Sequence, residues 1–153
     1  MKTTHSRRKF LGQAAALVAA PTIIPASAFG QNAPSKRVTM GFIGMGNRGI
    51  GVMEAFLAHA DVQGVAVCDV EELHFTERGG KRSRDYGRAP GKAAVEKIYS
   101  NRTDSGAWKG CTAYEDFREV LARDDIDAVM IATPDHWHGI ITMAALQSGK
   151  DVY

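Results

Sequence analysis

The sequence predicts an α/β fold, a parallel sheet with helices wound on both faces, and three observations predict it. Val38 to Ile43 is a short apolar run that passes directly into Gly44-Met45-Gly46-Asn47-Arg48-Gly49, a G-x-G-x-x-G turn. Runs of strand length then alternate with segments of helical periodicity, as βαβ units require. The strand-length runs are also apolar almost throughout, which suits a sheet covered on both sides. Together they describe a Rossmann-type doubly wound parallel sheet whose glycine turn opens onto a helix N-terminus. That geometry receives the pyrophosphate of a dinucleotide.

Taken in order, residues 1–28 read as an export leader. Arg7, Arg8 and Lys9 precede a mildly apolar run from Leu11 to Ile24, and Ala26-Ser27-Ala28 has the small-residue cleavage pattern. Gly12, Gln13 and Pro21 interrupt that run too often for a membrane span. Ser6-Arg7-Arg8-Lys9-Phe10-Leu11 is similar to the twin-arginine S-R-R-x-F-L pattern, with Gly12 where lysine is common. It predicts delivery of a folded protein to the twin-arginine translocation machinery, and hence a periplasmic or otherwise exported location. A polar stretch at 29–36 reads as a flexible linker, and the folded domain is expected over 37–153.

Four of the 19 lysines and arginines lie in the leader, which leaves 15 basic against 17 acidic residues, a net of −2, for the rest of the chain. Nothing in that balance points to a nucleic-acid partner. Cys68 and Cys111 are too few for a disulfide framework. Two free structural thiols are expected, with a single 68–111 disulfide as the alternative in an oxidising compartment.

Within the glycine turn each glycine has its own role. Gly44 allows the tight turn, Gly46 the close approach of phosphate, and Gly49 the packing of helix on strand. Met45, Asn47 and Arg48 complete this candidate cofactor-binding segment. Ile50, Met53, Phe56 and Leu57 recur at helical spacing to about Ala60, and Val62 to Cys68 follows as a buried strand. Glu71 to Gly110 loosens, broken by Gly79, Gly80, Gly87, Pro90 and Gly91. Its cluster of Lys81, Arg82, Arg84 and Arg88 reads as a solvated surface insertion. Ala93 to Tyr99 has helical character, and Lys109 to Ala113 is the expected third strand.

Regularity returns with an amphipathic helix over Tyr114 to Arg123 and a strand over Ile126 to Ala132, stopped by Thr133-Pro134. His136 to Ser148 reads as a helix with Gly149 at C′, and Asp151-Val152-Tyr153 as the start of another strand.

Candidate chemistry lies at the strand ends, where ligands bind in doubly wound sheets. Asp69 stands 20 residues past Gly49, placed to accept hydrogen bonds from the adenosine ribose hydroxyls. A carboxylate there repels a 2′-phosphate, and Val70 rather than arginine follows it, so NAD is expected rather than NADP. Thr133, Pro134, Asp135 and His138 are expected beside the nicotinamide half, because the fourth strand lies next to the first across the crevice. Helix capping by Asp135 or Thr133 is compatible with that placement, and Trp137 is expected to pack. His136 and His138 face different directions on a helix and have no partner at zinc spacing, so no metal site is expected.

These motifs carry a resemblance. The turn G-M-G-N-R-G, V-C-D-V at Val67 to Val70, Y-E-D-F-R-E-V-L at Tyr114 to Leu121, D-I-D-A-V-M-I-A-T-P-D-H-W-H at Asp125 to His138 and A-L-Q-S-G-K-D-V-Y at Ala145 to Tyr153 together resemble the Gfo/Idh/MocA family. These are the relatives of glucose–fructose oxidoreductase and inositol dehydrogenase. The resemblance implies an N-terminal NAD(P)-binding domain followed by a second α/β domain that binds a sugar or polyol substrate and often builds a homo-oligomer. In this family D-V-Y is followed by E-K-P, whose lysine serves the catalytic site. That lysine is expected beyond Tyr153, so no catalytic residue is assigned and the chain reads as an N-terminal fragment, inactive alone. Hydride transfer between NAD and a sugar, cyclitol or related polyol is the expected activity. The alternatives are an NAD-dependent glycosidase that oxidises, eliminates and returns the hydride, a non-catalytic dinucleotide-binding protein, and, as an outsider, a methyltransferase.

Overall fold

The computed structural model describes residues 36–78, 81–103 and 106–153. The leader assigned to 1–28, and all of the linker except Lys36, lie outside the described residues. Among the described residues four helices, α1 (Asn47–Leu57), α2 (Arg88–Ser100), α3 (Phe117–Leu121) and α4 (Asp135–Gln147), alternate with seven strands. Five of these, β1 (Val38–Ile43), β2 (Val62–Cys68), β5 (Thr112–Tyr114), β6 (Ala128–Ile131) and β7 (Asp151–Val152), form one parallel sheet in the order β5-β2-β1-β6-β7. The remaining two, β3 (His74–Arg78) and β4 (Lys81–Tyr86), make a separate antiparallel hairpin.

Strand periodicity divides the core into two halves, because successive side chains point to opposite faces. Met40, Phe42, Val67 and Met130 point to the face covered by α1 and α2, where Ile50, Met53, Leu57, Val95 and Tyr99 join them. Ile43, Ala66, Cys68, Val129 and Ile131 point to the face covered by α3 and α4, with Val120, Leu121, Ile141 and Ala145. Both faces of β1 from Met40 and of β2 from Gly64 are therefore dry, as the apolar runs required. The sheet edge also needs care: β2 pairs with β5 only from Ala66 onward, and Tyr99 of α2 supplies the missing partners. Its hydroxyl accepts from Gly64 N–H at 2.9 Å and donates to Val62 O at 3.2 Å.

Several elements differ from the sequence expectation. Glu71 to Gly110 carries regular elements: the hairpin β3–β4 and an α2 that begins at Arg88 rather than Ala93. Pro90 and Gly91 fall within the first turn of α2, where a missing N–H removes no intrahelical bond. A Cβ on Gly91 would lie 2.9 Å from Met45 Cγ and Sδ, so the glycine permits α2 to close on the glycine turn. The third strand begins at Thr112, and Tyr114 belongs to it rather than to a helix. Asp116 then caps a shorter α3 by accepting from Arg118 N–H at 2.9 Å. Cys68 and Cys111 are free and buried, as the first of the two expectations had it. Burial pushes both thiols up to about 12, which leaves them protonated and unreactive.

Candidate functional site

Strand order reverses between β1 and β6, so the chain leaves their carboxyl ends toward opposite faces of the sheet and a crevice opens above them. The first residue past β1 is Gly44, at φ +91°, a conformation that side chains rarely adopt. A Cβ there would also sit 2.7 Å from the carbonyl carbon and oxygen of Ala132, at the end of β6. Gly49 is tighter still, since its Cβ would lie 1.7 Å from Gly44 O. These two glycines serve the fold: they let α1 start directly against the turn and the neighbouring strand.

Gly46 is different. Its backbone is extended, at φ −77° and ψ −171°, a conformation open to any residue, and a Cβ would meet nothing else within 4 Å. As the N-cap of α1 it brings no side-chain oxygen, and no acid stands in the first turn. The amides that open α1 are thus left for a ligand, and the positive end of the helix dipole faces the crevice. Both observations fit the pyrophosphate of a dinucleotide.

A cleft of about 820 Å³ runs along these strand ends, a size ordinary for a cofactor site. Gly44, Gly46, Asn47, Arg48, Asp69, Thr133 and Pro134, all singled out from sequence, line it. Asp69 is committed to the fold as well as to the cleft: Oδ2 accepts from Met45 N–H at 2.7 Å and Oδ1 from Glu71 N–H at 2.9 Å. A carboxylate offers about four lone-pair sites, so capacity remains for ribose hydroxyls. Met45 contributes only backbone here, because its side chain is fully buried beneath α2. Asn47 Oδ1 accepts from Tyr86 OH of the hairpin at 3.2 Å.

The group after β6 lines two adjoining pockets. Thr133 and Pro134 line the large cleft, whereas Asp135 and His138 line a second pocket of about 560 Å³ with Arg48, Val52, Met130 and Tyr153. Arg48 and Thr133 border both. The residue at the N-cap of α4 is Pro134, no side chain caps the helix, and Thr133 Oγ1 is buried without a hydrogen-bond partner among the described residues. The capping expectation for Thr133 and Asp135 is therefore corrected. Trp137 is corrected too: it stands 45% exposed and lines the large cleft. Among the described residues no cluster of three or more His, Cys, Asp or Glu could hold a metal ion.

Sequence reasoning missed the opposite wall. Glu71 and His74 after β2, and Glu115, Asp116, Phe117 and Arg118 after β5, line the end of the cleft near Asp69. The signal is available in the rule that ligands sit past strand ends, but it needs the third strand to end at Tyr114 rather than Ala113. Asp116 pairs with Arg118 at 3.0 Å, and the hydrogen bond from Arg118 N–H holds its carboxyl below the usual range.

A family model described as "Oxidoreductase family, NAD-binding Rossmann fold" and designated Gfo/Idh/MocA matches residues 38–153. A glycosyl hydrolase family 109 protein of Stenotrophomonas maltophilia is 33% identical over 146 residues, which are 95% of this chain and 28% of that protein. The Saccharopolyspora erythraea protein of the same name is 35% identical over 118 residues, 75% of this chain and 21% of that one. Among solved structures, myo-inositol dehydrogenase from Lactobacillus casei in complex with NAD(H) and myo-inositol superposes at a TM-score of 0.54 and 21% identity, over 76% of this chain and 27% of that one. An NAD-binding protein from Listeria innocua follows at 0.51 and 25%, over 76% and 26%. The chain thus spans 21–28% of the length of these relatives.

Proposed function

Because the chain belongs to the Gfo/Idh/MocA oxidoreductase family, whose matched domain is an NAD-binding Rossmann fold, we propose that it is the cofactor-holding part of an enzyme moving a hydride between NAD and a sugar, cyclitol or related polyol. The observation that carries this reading is Gly46. The fold has no need of a glycine there, whereas a phosphate approaching the amides of α1 does.

The nicotinamide, when bound, supplies the hydride acceptor or donor. The chain's own residues bind and orient. Gly46 and the start of α1 receive the pyrophosphate, Asp69 accepts from the adenosine ribose, and Thr133 and Pro134 border the other half of the cleft. Carboxylates of Asp69, Glu71, Glu115 and Asp116 surround the ribose end. The two arginines nearby are already engaged: Arg118 with Asp116 at 3.0 Å, and Arg88 with Glu115 at 3.3 Å. A 2′-phosphate would find repulsion from the half-buried Asp69, the exposed carboxylates around it being largely screened, and cations already paired, which favours NAD over NADP. Titration of the chain with each cofactor tests this. Tighter binding of NADP than NAD would overturn it.

A second reading is favoured by the family 109 glycosyl hydrolases among the relatives. In it the sugar is oxidised, the glycosidic bond eliminated with release of the aglycone, water added across the double bond so formed, and the hydride returned, with no net change in cofactor. Product analysis on the enzyme that carries this domain separates the two: net NADH supports the dehydrogenase, released aglycone without NADH the glycosidase. For location, we propose export by the twin-arginine route on Ser6 to Leu11. A route that carries folded proteins suits a domain that must load a cytosolic cofactor. Replacing Arg7 and Arg8 together by lysine should block export of a folded reporter fused behind residues 1–35, and continued export would refute it.

A further inference from the structure

Arg88 looks in sequence like one more cation of a solvated basic cluster. In the structure its side chain is 20% exposed and turned inward. Nη1 donates to Val70 O at 2.9 Å and to Asp69 O at 3.3 Å, while Nη2 lies 3.3 Å from Glu115 Oε2. One guanidinium thus joins the loop after β2 to the loop after β5, the two strand ends that form the ribose wall of the cleft.

The backbone around it makes the same connection. Arg88 N–H donates to Glu71 O and Ala89 N–H to Glu72 O, both at 3.0 Å, and Gly87 N–H donates to Met45 O at 2.9 Å. The hairpin is therefore an excursion whose root, Gly87–Ala89, is stitched to the glycine turn on one side and to the Asp69 loop on the other. Gly87 fits there at φ +105° because a Cβ would lie 2.8 Å from the carbonyls of Glu71 and Glu72.

We infer that Arg88 is a positioning residue for cofactor selection: by holding the carbonyls of Asp69 and Val70 against Glu115, it keeps the Asp69 carboxylate facing the ribose end of the cleft. The inference rests on the NAD reading above. Arginine suits this role because its planar fork reaches two carbonyls and a carboxylate at once, which a single ammonium cannot. Its effect on NAD is through Asp69, since its own donors face the protein. Glu72 and Glu115, freed by its removal, are 75% and 70% exposed, so solvent and salt screen their charge.

The test is calorimetric titration of the full 153-residue chain with NAD and with NADP, for wild type, Arg88→Met, Arg88→Lys and Arg84→Met. The expected result is about a tenfold rise in Kd for NAD in Arg88→Met, little change for NADP, and so about a tenfold loss of selectivity. Arg88→Lys should retain most of that loss and carries the test if Arg88→Met does not fold. Arg84→Met should bind as wild type, since Arg84 pairs with Glu54 at 2.6 Å outside the cleft. Wild-type selectivity in Arg88→Met or in Arg88→Lys overturns the inference. So does equal weakening of both cofactors, the mark of a merely structural role. Failure of the wild-type chain to bind NAD at all sinks the cofactor reading itself, and this inference with it.

Discussion

The N-termini of α1 and α4 face the cleft from neighbouring strands, yet the chain prepares them in opposite ways. α1 starts from a glycine N-cap, has no acid in its first turn, and carries Arg48 there. α4 starts from Pro134 and places Asp135 in its first turn, so its positive end already meets a carboxylate. One terminus is left electrically open for an anion, and the other is neutralised from within. The cleft therefore has a direction: the α1 side offers uncapped amides, while the α4 side offers a buried hydroxyl, a proline and an exposed indole.

The largest effect that could break this comparison is expected at Gly49. Alanine there forces the Gly44 carbonyl away and should cost about 3 kcal/mol or more in a denaturant melt. A change below about 1 kcal/mol would mean that α1 is not locked to its turn. Next is Gly46→Val, in the same turn but facing open space. It should lower NAD affinity by roughly 100-fold or more while costing about 1 kcal/mol or less in stability, measured by titration and melt together. Unchanged affinity would remove the pyrophosphate from α1. The smallest effect is expected at Thr133→Val on the α4 side. Its buried hydroxyl has no partner among the described residues, so the unliganded protein should melt as wild type or gain up to about 1 kcal/mol. NAD affinity should fall a few-fold if that hydroxyl meets the ligand. A clear loss of unliganded stability would show that it is already bonded within the fold.

Much of this is legible in the sequence for a physical reason. The period of burial separates strands from helices without knowledge of the fold, so β1, β2, α1 and α4 stand within a few residues of expectation. A tight turn needs a particular backbone, so Gly44 and Gly149, at φ +91° and +72°, announce themselves. Asp69 follows from its distance past the turn. Glu71 to Gly110 misleads because its glycines and charges look like solvated loop when taken locally. Among the described residues, Gly87 stands at the root of a hairpin, Pro90 and Gly91 at a helix start, and Arg88 is turned inward. The segment His136 to Ser148 is helix as its pattern requires, but of its large apolar residues Ile141 is buried while Ile140, Met143 and Leu146 are 57%, 57% and 54% exposed.

The glycine turn shows where the division falls. Sequence by itself determined the fold class, the turn, and the three glycines as one motif, because spacing and backbone freedom are local properties. Only tertiary structure decided that Gly44 and Gly49 answer to the chain while Gly46 does not, since that depends on which backbone atoms come within 3 Å of each Cβ and which do not. The same holds for Thr133 to His138, divided between two pockets by the start of α4, and for Arg88, whose partners lie 18 and 19 residues back on the loop after β2 and on the far side of β5. Convergence of distant segments is set by packing, and no local pattern records it.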